Sequence, residues 1–174
     1  MNDLSRVLIL SAFAGFVANA AMAQTGDRLA EAEAAYEAVW LEQPISFRKI
    51  VLVERSDGFG IYEPRQDAVF RGDEPIVVYA EPVGYAWKDR GDGTYSFGFD
   101  IDLVVKTPDG RIVAGQENFQ KLELTSRARN KEFMLTLTLN FTGAPAGDYV
   151  IEYATRDIAS SKSGKISVPI TIAK

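Results

Sequence analysis

The chain contains no cysteine and no histidine among its 174 residues. Without cysteine there is no disulfide framework, thiol nucleophile, iron–sulfur cluster or thiolate zinc site. Without histidine there is no Ser-His-Asp triad, and no imidazole serves as metal ligand or general base. Positive charge is also scarce, with 19 Lys and Arg against 24 Asp and Glu, for a net charge of −5. That balance argues against a nucleic-acid partner, which calls for a basic surface. What remains is ordinary globular material: 47% hydrophobic and 25% charged residues.

Residues 1–23 read as a secretory leader. The apolar run Val7 to Val17 is too short to cross a bilayer comfortably, which takes about 20 residues. Ala21-Met22-Ala23 offers a small-x-small cleavage site before Gln24, and Ala18-Asn19-Ala20 offers a second. No cysteine follows the run, so lipoprotein attachment lacks its acceptor. The expectation is a periplasmic or secreted protein with no membrane span after cleavage. Residues 24–44 form a helix and linker, and residues 45–174 form a single domain.

Asp27 to Leu41 has the composition of a helix, with Asp27 as cap and Pro44 as stop. Leu29, Ala32, Tyr36, Val39 and Trp40 fall on one side, so an amphipathic helix packing that stripe on its own domain is expected. After Pro44 the period changes to two. Strands are expected at Ile45–Glu54, Ile76–Gly84, Tyr95–Val105, Arg111–Gly115, Lys121–Leu124, Phe133–Phe141, Tyr149–Arg156 and Lys165–Ile172. Each shows one apolar face, and a sheet with one apolar face needs a second sheet to cover it. Pro169 points away from the apolar set of the last strand, which suits an edge. The fold expected is an all-β, antiparallel sandwich of seven or eight strands behind one N-terminal helix.

Gly147-Asp148-Tyr149, opening a late strand, resembles the tyrosine corner of immunoglobulin-like sandwiches. The resemblance implies structural roles for Gly147 and Tyr149, with the Tyr149 hydroxyl bonding backbone just upstream. Together with Phe70-Arg-Gly-Asp-Glu-Pro-Ile-Val-Val-Tyr-Ala-Glu81 and Arg156-Asp157, the pattern is similar to exported bacterial immunoglobulin-like proteins of unassigned function. The similarity covers most of residues 60–172. It implies a fold and carries over no catalytic residue.

Candidate chemistry is thin. Ser46-x-x-Lys49 spells a penicillin-binding signature but precedes a strand instead of opening a helix. Asp100 and Asp102 share one strand face, about 6.6 Å apart, a separation glycosidase carboxylates use. Two outward aspartates more often make a solvated face. Asp89-Arg-Gly-Asp92-Gly is an acidic loop with too few ligands for calcium, and reads as a turn. Both Arg71-Gly72-Asp73 and Arg90-Gly91-Asp92 match an adhesion tripeptide at expected turns. Tyr79, Glu81, Tyr85 and Trp87 form the best binding patch, if their rings face solvent and can stack on a sugar or peptide. The functional expectation is a non-catalytic binding or interaction module with no catalytic residue, no metal and no cofactor, whose partner is another envelope protein or a saccharide. The alternatives are a carbohydrate-active enzyme or accessory domain, and a calcium-dependent adhesive module.

Overall fold

The computed structural model describes residues 14–174, with side chains described from Gly26 onward. Helix α1 spans Ala14–Glu42 and is followed by ten strands. These are β1 (Ser46–Gly58), β2 (Ile61–Pro64), β3 (Val69–Arg71), β4 (Ile76–Val83) and β5 (Lys88–Asp89), then β6 (Tyr95–Lys106), β7 (Ile112–Ser126), β8 (Leu135–Leu139), β9 (Gly147–Asp157) and β10 (Ser163–Ala173). The chain separates into two compact units, one ending at Val39 and the other running from Trp40 to Lys174. The side chains of the expected leader, including its cleavage site, lie outside the described residues.

The second unit is a β-sandwich. One sheet has the order β2-β1-β4-β8, and the other runs β3-β10-β9-β6, with β6 also pairing β5 and β7. Alternation builds the core. Phe97, Phe99, Ile101, Leu103 and Val105 of β6 are buried, with Ile151 and Tyr153 of β9 and Ile166, Val168, Ile170 and Ile172 of β10. Ile76, Val78 and Ala80 of β4 and Leu135, Leu137 and Leu139 of β8 close the core from the other sheet. Each large side chain so buried is worth about 1.5–3 kcal/mol before entropy is subtracted.

Three expectations about the strands change. Among the described residues there are ten strands, not seven or eight, because β1 runs on to Gly58 and turns back as β2, while β3 and β5 are short pairings. The two fragments expected at 111–115 and 121–124 are one strand, β7, carrying an irregularity between the pairs Ile101↔Gln120 and Leu103↔Gln116. The sheets are not wholly antiparallel, since β3 lies parallel to the end of β10. That pairing begins at Thr171, so Pro169 still sits where no β3 residue needs its missing amide.

The helix differs too. Asp27 lies inside α1 instead of capping it, because strong helix formers such as Ala20, Ala21 and Met22 carry the helix through it. Leu29, Tyr36 and Val39 are 62%, 49% and 53% exposed, so of the expected stripe only Trp40 is buried. The indole of Trp40 donates to the Tyr85 carbonyl at 2.8 Å.

Just past the helix the chain is pinned by a cation. The Lys162 ammonium donates to the carbonyls of Leu41 (2.5 Å), Gln43 (2.8 Å) and Gly84 (2.8 Å). A positive charge is favourable where carbonyls at a helix end have no further partner. Gly84 permits this convergence: its φ is +86°, and a Cβ there would lie 2.6 Å from the Pro44 carbonyl oxygen.

Candidate functional site

Of the four residues expected to form a binding patch, three are buried and Trp87 is half-buried, and they are divided between two places. Tyr79 and Tyr85 are fully buried, and Glu81 nearly so. Tyr79 points away from the main core, under the β1–β2 hairpin. Its ring lies 4.4 Å from that of Tyr62, and its hydroxyl accepts from the Gly60 amide and donates to the Glu81 carboxylate (2.9 Å). Burial, reinforced by the Glu81 charge, holds the Tyr79 phenol above its ordinary pKa. The hairpin covers this face because β1 bends past Val53 and brings Ser56 to Thr136 of β8 and to Met134 just before it. Alternation sets Tyr79 on the face of β4 away from the main core, and the curl of β1 buries it.

Tyr85 and Trp87 belong to an aromatic cluster at the other side of β4. Trp40 is stacked on Trp87 at 5.9 Å, and Tyr85 meets the rings of Trp40, Phe97, Phe99 and Phe133 within about 6 Å. The Asn130 carbonyl accepts both the Tyr85 hydroxyl and the Trp87 indole at 2.9 Å, and the Lys131 ammonium lies over the Trp87 ring. These contacts fix the segment before β8 to the cluster. They leave no open platform of Tyr79, Glu81, Tyr85 and Trp87 on which a sugar could stack.

The aspartates of β6 are also engaged. Asp102 takes two hydrogen bonds from the Arg156 guanidinium and one from the Asn118 amide at 2.8 Å. Its neighbour Asp100 pairs in register with Lys121 on one side and Arg156 on the other. The outer face of this sheet continues as cross-strand ion pairs, with Glu152 between Lys106 (2.5 Å) and Lys165 (2.6 Å). A carboxylate held by a cation keeps a low pKa and is a poor general acid. Glu152 is lowered in this way, first by Lys106 and then by Lys165.

Beside this face lies a cleft of about 480 Å³, lined by Lys88, Asp89, Arg90, Asp92, Ser96, Lys121, Glu123 and Ile158. Three cations and three carboxylates therefore border one concavity. Residues from β5, β6 and β7 meet there because β6 pairs with both of the other strands around Tyr95 and Ser96. Asp89 accepts from the Gly91 amide and Asp92 from the Thr94 amide and hydroxyl, so both carboxylates shape their own turn. The Thr94 hydroxyl is the main reason the Asp92 carboxyl is lowered, and the Glu123 carboxylate raises Lys121. Among the described residues no group of three acidic side chains is arranged to hold a metal ion.

Sequence reading singled out the Asp89–Asp92 turn but not Lys88, Lys121 or Glu123. Lys121 and Glu123 do alternate onto one strand face, which was the available signal. Only the register of β7 on β6 brings that face to the turn. At the opposite end, the expected bond of Tyr149 is present: its hydroxyl donates to the Pro145 carbonyl at 2.8 Å, and Gly147 supplies a φ of +155°. A scan against protein-family models finds no match to the chain, and a search of curated proteins finds no significant one.

Proposed function

We propose that the chain is an exported, non-catalytic β-sandwich module that binds a polar ligand or protein segment carrying both charges, at the cleft between Lys88 and Glu123. The observation that carries this reading is the cleft itself. It brings Lys88, Arg90 and Lys121 to Asp89, Asp92 and Glu123 around a space of about 480 Å³. Such a lining selects by charge placement more than by buried apolar area. The bonds that hold Asp102 to Arg156, and Asp89 and Asp92 to their own turn, support binding over acid–base chemistry. The tyrosine-corner bond of Tyr149 supports kinship with immunoglobulin-like sandwiches, and the sequence of residues 1–23 supports export.

The test combines location with capture. Cell fractionation and intact-mass analysis should find a chain beginning at Gln24 outside the cytoplasm. Crosslinking in cells should capture a partner, and the double variant Lys88→Glu, Arg90→Glu should lose that capture while melting like the parent. Full-length protein confined to the cytoplasm would refute export. Undiminished capture by the folded double variant would refute the cleft.

A further inference from the structure

Strand β7 is a long edge. Among the described residues its only ladder partner is β6, and Lys121, Glu123, Leu124 and Thr125 are exposed along it. A Cβ built on Gly98 of β6 would fall 1.9 Å from the Leu122 carbonyl oxygen, so that carbonyl points at β6. In an extended strand successive peptide groups alternate sides. The amide and carbonyl groups of Lys121 and Glu123 therefore face the free edge, where a further strand could bond them. Natural edges are usually blunted by charges or bulges. Here a bulge at Asn118, whose φ is +49°, ends the regular stretch on one side. The charges, however, are arranged to match themselves.

We infer that residues 119–125 of β7 pair antiparallel with the same residues of a second copy, about a two-fold axis at Leu122. That register follows from the charge order. It sets Lys121 opposite Glu123 of the second copy and Glu123 opposite its Lys121, an isologous arrangement in which one patch complements itself. Within one chain the Lys121 ammonium already lies 3.1 Å from Glu123, so pairing converts two intrachain pairs into a ring of four alternating charges. The same register sets Leu124, an apolar side chain 49% exposed at the lip of the sheet, against the stem of Gln120. Leu122 meets its own equivalent across a non-hydrogen-bonded position, while the outward amides and carbonyls of Lys121 and Glu123 bond across the axis. The two six-stranded sheets then continue as one, the mode by which an extended partner adds to an exposed edge.

The test is charge exchange, read by sedimentation velocity of the full chain over a concentration series. The parent should show a concentration-dependent dimer. Lys121→Glu sets carboxylate against carboxylate twice, and Glu123→Lys sets ammonium against ammonium twice. Each variant alone should weaken the dimer at least ~10-fold. An equimolar mixture of the two should recover heterodimer to within about threefold of the parent, because each chain then supplies what the other lacks. Both side chains are exposed, and unchanged melting temperatures confirm that the variants fold. A parent that stays monomeric up to several hundred micromolar, roughly the weakest range that a specific contact occupies, would overturn the inference. So would a dimer that both substitutions leave intact, or a mixture that fails to recover association.

Discussion

At the residue scale, two tyrosines of β9 on the same inward face have opposite circumstances. The Tyr149 hydroxyl donates to the Pro145 carbonyl, whereas that of Tyr153 is buried with no hydrogen-bond partner among the described residues. Removing half of a buried hydrogen bond strands the other half, while removing an unsatisfied hydroxyl relieves a desolvation cost. Tyr149→Phe should therefore cost ~1–3 kcal/mol in denaturant melts. Tyr153→Phe should leave stability unchanged or raise it by up to about 1 kcal/mol. Equal losses in both variants would contradict the assignment of the two hydroxyls. Gly98 offers a third case. Its φ of +150° and the nearby Leu122 carbonyl exclude a side chain, so Gly98→Ala should destabilise by ~2–4 kcal/mol as β7 is pushed off β6.

At the scale of elements, helix α1 shows how far periodicity reaches. Leu29, Tyr36, Val39 and Trp40 do form a stripe, but the stripe divides at the last turn. Trp40 packs its indole against Tyr85 and Trp87, while Leu29 and Val39 stay exposed. Trp40→Ala should thus cost ~3–5 kcal/mol, the usual loss for a buried large aromatic. Val39→Ala, one residue away, should change the melt by less than about 0.5 kcal/mol. A substantial loss from Val39→Ala would show that the stripe is covered after all. Strand β1 behaves similarly: its first half pairs β4, and its second runs on past β4 to pair β2 and cover Tyr79. The solvent-facing Tyr79 that a binding patch required is not met, because of this bend.

At the scale of the whole molecule, ionisation should limit stability from both sides. Glu74 is lowered chiefly by the Arg65 hydrogen bond, and Glu152 by Lys106 and then Lys165. Their contribution is complete above the ordinary glutamate value of about 4.3 and is lost as pH falls through the lower folded values. The phenols of Tyr79 and Tyr153 are raised, in both cases first by burial. Their contribution is complete below about pH 10 and declines as pH rises beyond it, since only the unfolded chain ionises them easily. Urea titrations across pH should trace a plateau with falling limbs at both ends. Glu152→Gln should flatten the acid limb and Tyr153→Phe the alkaline one. Limbs unaffected by these substitutions would show that other groups control the transitions.

Composition and period two were sufficient for the all-β sandwich and its core face, because burying alternate residues is a local requirement of each strand. The Tyr149 bond was legible through the resemblance of Gly147-Asp148-Tyr149 to the tyrosine corner, and its donor and acceptor lie only four residues apart. The cleft was beyond them. Lys121 and Glu123 lie far along the chain from the Lys88–Asp92 turn and become its neighbours only through the register of β5, β6 and β7. The binding patch expected around Tyr79 and Tyr85 failed for the same reason. Alternation assigns a residue to one of two faces, but whether a face meets water depends on what folds over it. In this chain a hairpin covers Tyr79 and an aromatic cluster encloses Tyr85, and both are long-range packing decisions.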